Sequence, residues 1–268
     1  SSGSDRPVAL FAYLLLLDGA VLYVAHKQRW PWLAAVSLFG TACYQGLWIV
    51  GRMGPERVGW GMMLTIVFSA VFALKQGPQP HADDPEVGDG RDSWLWTRVA
   101  AVLLPFLFAL YFGLQADMGG SFLRMGAYVA VLVIGAGAMA YRDRMAWLGL
   151  AATCAALGVL TAWLASHAVS GSVAWQLMGF VVVVALIHQL WIELAVRHDE
   201  AHSQTTSAAM LWLLASIGVT AWAASVANEP ALWPWLTGWF ALVLIALRQG
   251  AITRDYAPWI GAAVASSI

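Results

Sequence analysis

A carboxylate stands inside the first long apolar stretch of this chain, at Asp18 in Phe11-Ala-Tyr-Leu-Leu-Leu-Leu-Asp18-Gly-Ala. At mid-depth in hydrocarbon an ionised aspartate costs at least about 2.5–3.5 kcal/mol on insertion scales. Asp18 therefore needs a compensating environment. No Lys or Arg is expected at its depth, which leaves three solutions: a retained proton, hydrogen bonds from Ser37, Thr41, Thr65 or Thr153 on neighbouring helices, or a wet cavity. A proton held or exchanged in a cavity suits coupled translocation. Hydrogen bonds alone would make Asp18 an interhelical fastener.

Other residues invite the same question. Pro105 interrupts the fourth apolar stretch midway and frees a carbonyl near Ala101, so it predicts a kink or a broken helix of the kind that lines substrate sites. His188, Gln189 and Glu193 close the seventh stretch, and Glu193 precedes Arg197 in the favourable order for a helical ion pair. His198 and His202 have an i, i+4 spacing able to grip a metal, but no third ligand accompanies them. Residues 75–93 hold Asp83, Asp84, Glu86, Asp89 and Asp92 among Pro and Gly and read as a flexible acidic loop. No phosphate-cradling glycine loop, serine-nucleophile motif or basic nucleic-acid patch is present. The sequence thus calls for no catalytic residue, metal or cofactor, and favours a non-enzymatic role. Cys43 and Cys154 fall within apolar stretches and read as small packing residues.

The elements that position these residues follow from composition. With 60% hydrophobic residues, 11% charged and a mean hydropathy of +0.69, the only suitable solvent is a bilayer. Continuous apolar runs of about 17–25 residues exclude a β-barrel and predict an all-α, polytopic helical bundle. The spans read Val8 to Ala25, Pro31 to Val50, Val58 to Leu74, Leu95 to Leu114, Phe122 to Tyr141, Met145 to Ser166, Val173 to Val196, Ala208 to Val226 and Leu232 to Leu247. A tenth opens near Ala257 and is too short to cross, and the chain starts at Ser1 without methionine, so a fragment of a longer protein is expected. Of the fourteen lysines and arginines, only Arg6, Arg52, Arg57 and Arg124 fall on the side of residue 1. By the positive-inside rule that side is the outer one. The sixteen tryptophans gather near both boundaries and read as aromatic belts, the cluster Trp233, Trp235 and Trp239 fitting least well. Small residues in the fifth and sixth spans, Gly135, Ala136, Gly137 and Ala140 in one and Ala151, Ala152, Ala155 and Ala156 in the other, predict a tight hairpin.

Arg29-x-x-Trp32-Leu33 returns as Arg144-x-x-Trp147-Leu148, displaced by 115 residues, and a looser copy reads Arg254, Pro258, Trp259. Four spans separate the first two copies, an even number that preserves direction, so parallel four-helix repeats are expected over 8–115, 122–228 and part of 231–268. These arginines and tryptophans are also natural interface anchors. Val133 stands where Asp18 would recur, so any role of Asp18 belongs to one copy.

The run Phe11 to Ala20, the basic turn, Arg29-Trp30-Pro31-Trp32-Leu33, and the helix with Gly40-Thr41 and Trp48 resemble the bacterial polytopic membrane proteins grouped as domain of unknown function family 2339. The likeness concentrates in residues 8–50. It implies an inner-membrane helical array with more spans than are present here, and no chemistry. The resulting expectation is translocation or flipping of a lipid-linked or small amphipathic substrate, with a noncatalytic envelope scaffold that binds other membrane proteins as the alternative. The lipid bilayer is the one partner implied directly.

Overall fold

The computed structural model describes residues 7–74, 88–197, 203–227 and 232–253. Within them the chain forms α1 (Pro7–Gln28), α2 (Pro31–Arg52), a short 3-10 turn (Pro55–Arg57), α3 (Val58–Leu74), α4 (Gly88–Leu114), α5 (Phe122–Arg142), α6 (Ala146–Ser166), α7 (Gly171–Arg197), α8 (Ser203–Val226) and α9 (Leu232–Thr253). Nine helices among the described residues are long and apolar enough to cross a membrane. At about 1.5 Å per residue the 22 residues of α1 reach about 33 Å, a full hydrocarbon thickness. No strand occurs among the described residues, and the protein is an all-α, multi-pass membrane bundle. Several helices outlast their apolar cores: α8 begins at Ser203 and α9 runs to Thr253, because backbone hydrogen bonding continues into the interfacial zone. Helix α4 starts at Gly88, inside the stretch read as a flexible acidic loop, so the tail of that stretch is helical. Residues 75–87, His198 and His202, and the third signature copy with Arg254 and Trp259 lie outside the described residues.

The chain divides into two compact units, Ser1–Phe108 and Ala109–Ile268. In the first, Leu22 and Ala25 of α1 meet Ala34 and Leu38 of α2, Phe72 of α3, and Trp94 and Ala101 of α4. In the second, α5 packs on α6 and α7, α6 on α8, and α7 on α8 and α9. Of the small-residue rows, Ala136 and Ala140 of α5 and Ala152 and Ala156 of α6 are buried, whereas Ala151 and Ala155 are half-buried and Gly135 is exposed. Gly137 turns instead to α7, where its bare Cα makes room for the Trp191 ring.

The two signature turns share one backbone. Arg29 and Arg144 sit at φ 56° and 55°, the positive-φ non-glycine residues of the described chain. Trp30 N–H donates to Ala25 O and Met145 N–H to Ala140 O, both at 2.9 Å, while Arg29 N–H reaches His26 O and Arg144 N–H reaches Tyr141 O, both at 3.4 Å. This is the paired 6→1 and 5→2 closure of a Schellman end, with arginine in the place usually taken by glycine. An aromatic triad also recurs. Phe11 stands edge-on to Trp48 at 5.0 Å and to Phe68 at 6.3 Å, and Phe122 stands edge-on to Trp163 at 4.8 Å and to Phe180 at 5.8 Å. In each unit the triad ties the first helix of a unit to its second and third.

Burial sets five of the described tryptophans apart from a lipid-facing aromatic belt. Trp48, Trp94, Trp163, Trp212 and Trp235 are buried. Trp163 Nε1 donates to Gly119 O at 2.6 Å and Trp212 Nε1 to Val181 O at 3.0 Å, which satisfies the indole and lets the ring enter the core. In the uncertain cluster, Trp233 is exposed, Trp235 is buried, and Trp239 Nε1 donates to Thr220 Oγ1 at 3.1 Å. Cys43 and Cys154 are exposed on their helices and are not packing residues.

Candidate functional site

Asp18 is buried, and both carboxyl oxygens are engaged: Ser37 Oγ donates to Oδ1 at 2.6 Å and Thr41 Oγ1 to Oδ2 at 2.7 Å. Ser37 and Thr41 are one turn apart on α2, so their hydroxyls project from one face onto the two oxygens of a single carboxyl. Of the hydroxyls expected from depth, these two are the partners. Thr65 donates to Met62 O within its own helix, and Thr153 lies in the other unit, bonded to His188. Gln45, a turn beyond Thr41, continues the same face; it is buried and its Nε2 has no partner. Helix α2 thus presents a polar ladder, Ser37, Thr41, Gln45, to the interior of an apolar unit.

An open cleft of about 510 Å³ lies between α1 and α3 in the same unit. Phe11 and Leu15 of α1, Trp48 of α2, and Leu64, Val67 and Phe68 of α3 form its apolar walls, while its charged lining comes from Glu56 and Arg57. Pro55 opens the 3-10 turn that carries this pair, and Arg57 N–H closes it on Gly54 O at 3.0 Å. Arg57 Nε stands 3.6 Å from Glu56 Oε1, and both side chains are well exposed. Phe11, Leu15 and Asp18 fall at i, i+4 and i+7 on α1, so the carboxyl lies on the cleft's own stripe, one turn beyond Leu15. Both the size of the cleft and its apolar walls with a few polar groups are those of small-molecule sites.

Pro105 stands inside α4, and the helix runs through it from Gly88 to Leu114 rather than breaking. The carbonyl that its missing N–H releases, Ala101 O, accepts Ser69 Oγ of α3 at 2.6 Å. A side-chain hydroxyl thereby replaces the lost backbone donor, and the proline becomes a stitch between α3 and α4. Ser69→Ala is expected to cost about 1–2 kcal/mol in the wild type and markedly less in a Pro105→Ala background, where the backbone supplies its own donor. A double-mutant cycle on detergent unfolding measures this, and equal costs in both backgrounds would remove the stitch.

In the second unit the trio expected at the end of α7 separates. His188 turns into the bundle, where Nε2 meets Thr153 Oγ1 at 2.8 Å, Nδ1 donates to Val184 O at 2.8 Å, and the ring stacks on Trp212 at 6.0 Å. Glu193 Oε1 accepts Gln189 Nε2 at 3.0 Å and Arg248 Nη2 of α9 at 2.8 Å. Its hydrogen-bonded ion pair is therefore with α9, while Arg197 on α7 attracts its charge electrostatically without a close contact. Asp18 and Pro105 belong to one unit, His188 and Glu193 to the other, and within each unit they occupy separate local networks. Trp32 and Trp147, the expected interface anchors, are exposed. No cluster of three metal-ligating side chains occurs among the described residues.

Sequence reasoning used Arg57 only for orientation, gave Glu56 no role, and missed the cleft. The available signal was the stripe Phe11, Leu15, Asp18, which puts apolar and acidic side chains on one face. Neither the curated proteins nor the solved structures contain a match. The family described as Predicted membrane protein (DUF2339) matches residues 1–267, far beyond the stretch 8–50 where the resemblance was concentrated, and the chain belongs to that family.

Proposed function

We propose that the protein takes a small amphipathic or lipid-linked molecule into the α1–α3 cleft and moves it across a bacterial inner membrane. The observation that carries this reading is an open apolar cleft with a charged pair in its lining and a buried carboxyl one turn further along the same stripe of α1. The distribution of lysine and arginine supports placing the Glu56–Arg57 end, with residue 1, on the outer side. An apolar chain then enters from the outer leaflet, and its headgroup stays at the turn.

A photoreactive residue at Val67 is expected to give lipid-mass adducts in membranes well above those from Val131, an exposed position on α5. Leu64→Trp, which fills the cleft, is expected to abolish them and to slow transfer of a fluorescent lipid between leaflets of reconstituted vesicles. Adducts at Val67 no stronger than at Val131 would falsify uptake, and transfer equal to that of protein-free vesicles would remove translocation.

A second reading has its own support. The left-handed arginine turns and the aromatic triads recur near one offset, and we infer that they mark parallel four-helix repeats, each with the same internal ties. Repeats without a repeated Asp18 suit a scaffold whose lipid-facing surfaces bind other membrane proteins. Under that reading the Asp18 contacts are fastening alone, and copurifying partners persist in Leu64→Trp.

A further inference from the structure

Resting on the cleft as the uptake site, we infer that its occupant is a zwitterionic amphiphile, with an anionic group held by Arg57, a cationic group by Glu56 and an apolar chain between α1 and α3. The charges decide the headgroup. A cleft lined by arginine alone would suit an anionic lipid, and one lined by glutamate alone an amine; here both signs sit on consecutive residues of one 3-10 turn.

The pair is free to exchange partners. At 3.6 Å, with Arg57 40% and Glu56 70% exposed, the two side chains hold one another only weakly. A headgroup that carries a phosphate next to an ammonium replaces this contact with two complementary ones and leaves neither charge uncompensated. The phosphate would also lie near the first turn of α3, which opens at Val58 directly after Arg57, where the helix N-terminus favours negative charge. Behind the charged turn the walls turn apolar at once, through Trp60, Met63, Leu64 and Val67 along α3. That succession of charge, aromatic ring and aliphatic wall follows the order of headgroup, interface and acyl chain in a lipid.

The test uses the full chain in vesicles containing equal amounts of phosphatidylethanolamine and phosphatidylglycerol with identical acyl chains, with the photoreactive residue at Val67. Wild-type adducts are expected to favour phosphatidylethanolamine by about three- to fivefold, the factor an exposed charge contact supplies. Glu56→Gln should reverse the preference toward phosphatidylglycerol, and Arg57→Gln should lower both adducts. Adducts in equal ratio, unmoved by either substitution, would overturn the headgroup assignment and leave the apolar uptake site standing. Absence of adducts from both lipids would overturn uptake itself. Because the two substitutions lie on an exposed turn, their effect on folding is checked by the unchanged Val131 background.

Discussion

Asp18→Leu destabilises the first unit by about 2–3 kcal/mol, although it makes α1 easier to insert. Two equilibria are involved, and they move in opposite directions. Removing the carboxylate spares α1 the roughly 2.5–3.5 kcal/mol cost of carrying an acid into hydrocarbon. Once the helices are in the bilayer, the same change deletes two hydrogen bonds of about 0.6–1.7 kcal/mol each and strands the Ser37 and Thr41 hydroxyls between α1 and α2. Detergent-induced unfolding of reconstituted protein reads the second equilibrium. The triple change Asp18→Leu, Ser37→Ala, Thr41→Val is expected to recover most of the loss, because no polar atom is then left unmatched. Additive losses across the three positions would show that the groups do not act as one network. Asp18→Asn keeps size and hydrogen bonding and is expected to cost far less than leucine.

Gly137→Val costs the second unit about 3 kcal/mol or more. A Cβ built on Gly137 runs into Nε1 of Trp191 and comes within 2.6 Å of Cε2, both in a rigid ring that cannot bend aside. Trp191 in turn lies against Tyr141, with ring centroids 6.0 Å apart, which narrows its retreat. Trp191→Leu should restore most of the stability lost in Gly137→Val while costing stability by itself, a compensation that the unfolding midpoints of the single and double variants measure. Gly238 is a gentler case. Its imaginary Cβ meets the flexible Cε end of Met178, which can swing away, and the stem atoms Cβ and Cγ at 3.0 and 3.1 Å, which need give only a few tenths of an ångström, so Gly238→Ala is expected to cost less than Gly137→Val.

What the sequence revealed depended on whether a property was local. The spans were legible because each is a continuous apolar run. Ser37 and Thr41 stood among four hydroxyls at the depth of Asp18, since depth follows from residue count, but choosing them over Thr65 and Thr153 needed the packing of α1 on α2. The carbonyl released by Pro105 was legible too, since the i−4 relation is internal to one helix. Its acceptance of Ser69 was not, because that contact depends on how α3 rotates against α4. The same holds for Glu193: Arg197 was the local choice on α7, and Arg248 wins because α9 packs there. Tryptophans were assigned by height in the bilayer, a measure that ignores which face of the helix they occupy, so buried Trp163 and Trp212 looked the same as exposed Trp60. The cleft depends on the spacing of α1 and α3, which no single-helix pattern encodes.

The arginines at the two Schellman ends bear on how the protein is made. A left-handed backbone costs a side-chain-bearing residue about 1–2 kcal/mol, which glycine would spare, yet Arg29 and Arg144 occupy both positions. Positive charge between two emerging helices is in general retained on the side of synthesis. Each of these turns puts backbone strain and a positive charge on the same residue, and Arg29→Gly or Arg144→Gly, which relieves the strain and removes the charge, shows through insertion and unfolding which of the two the α1–α2 and α5–α6 hairpins depend on.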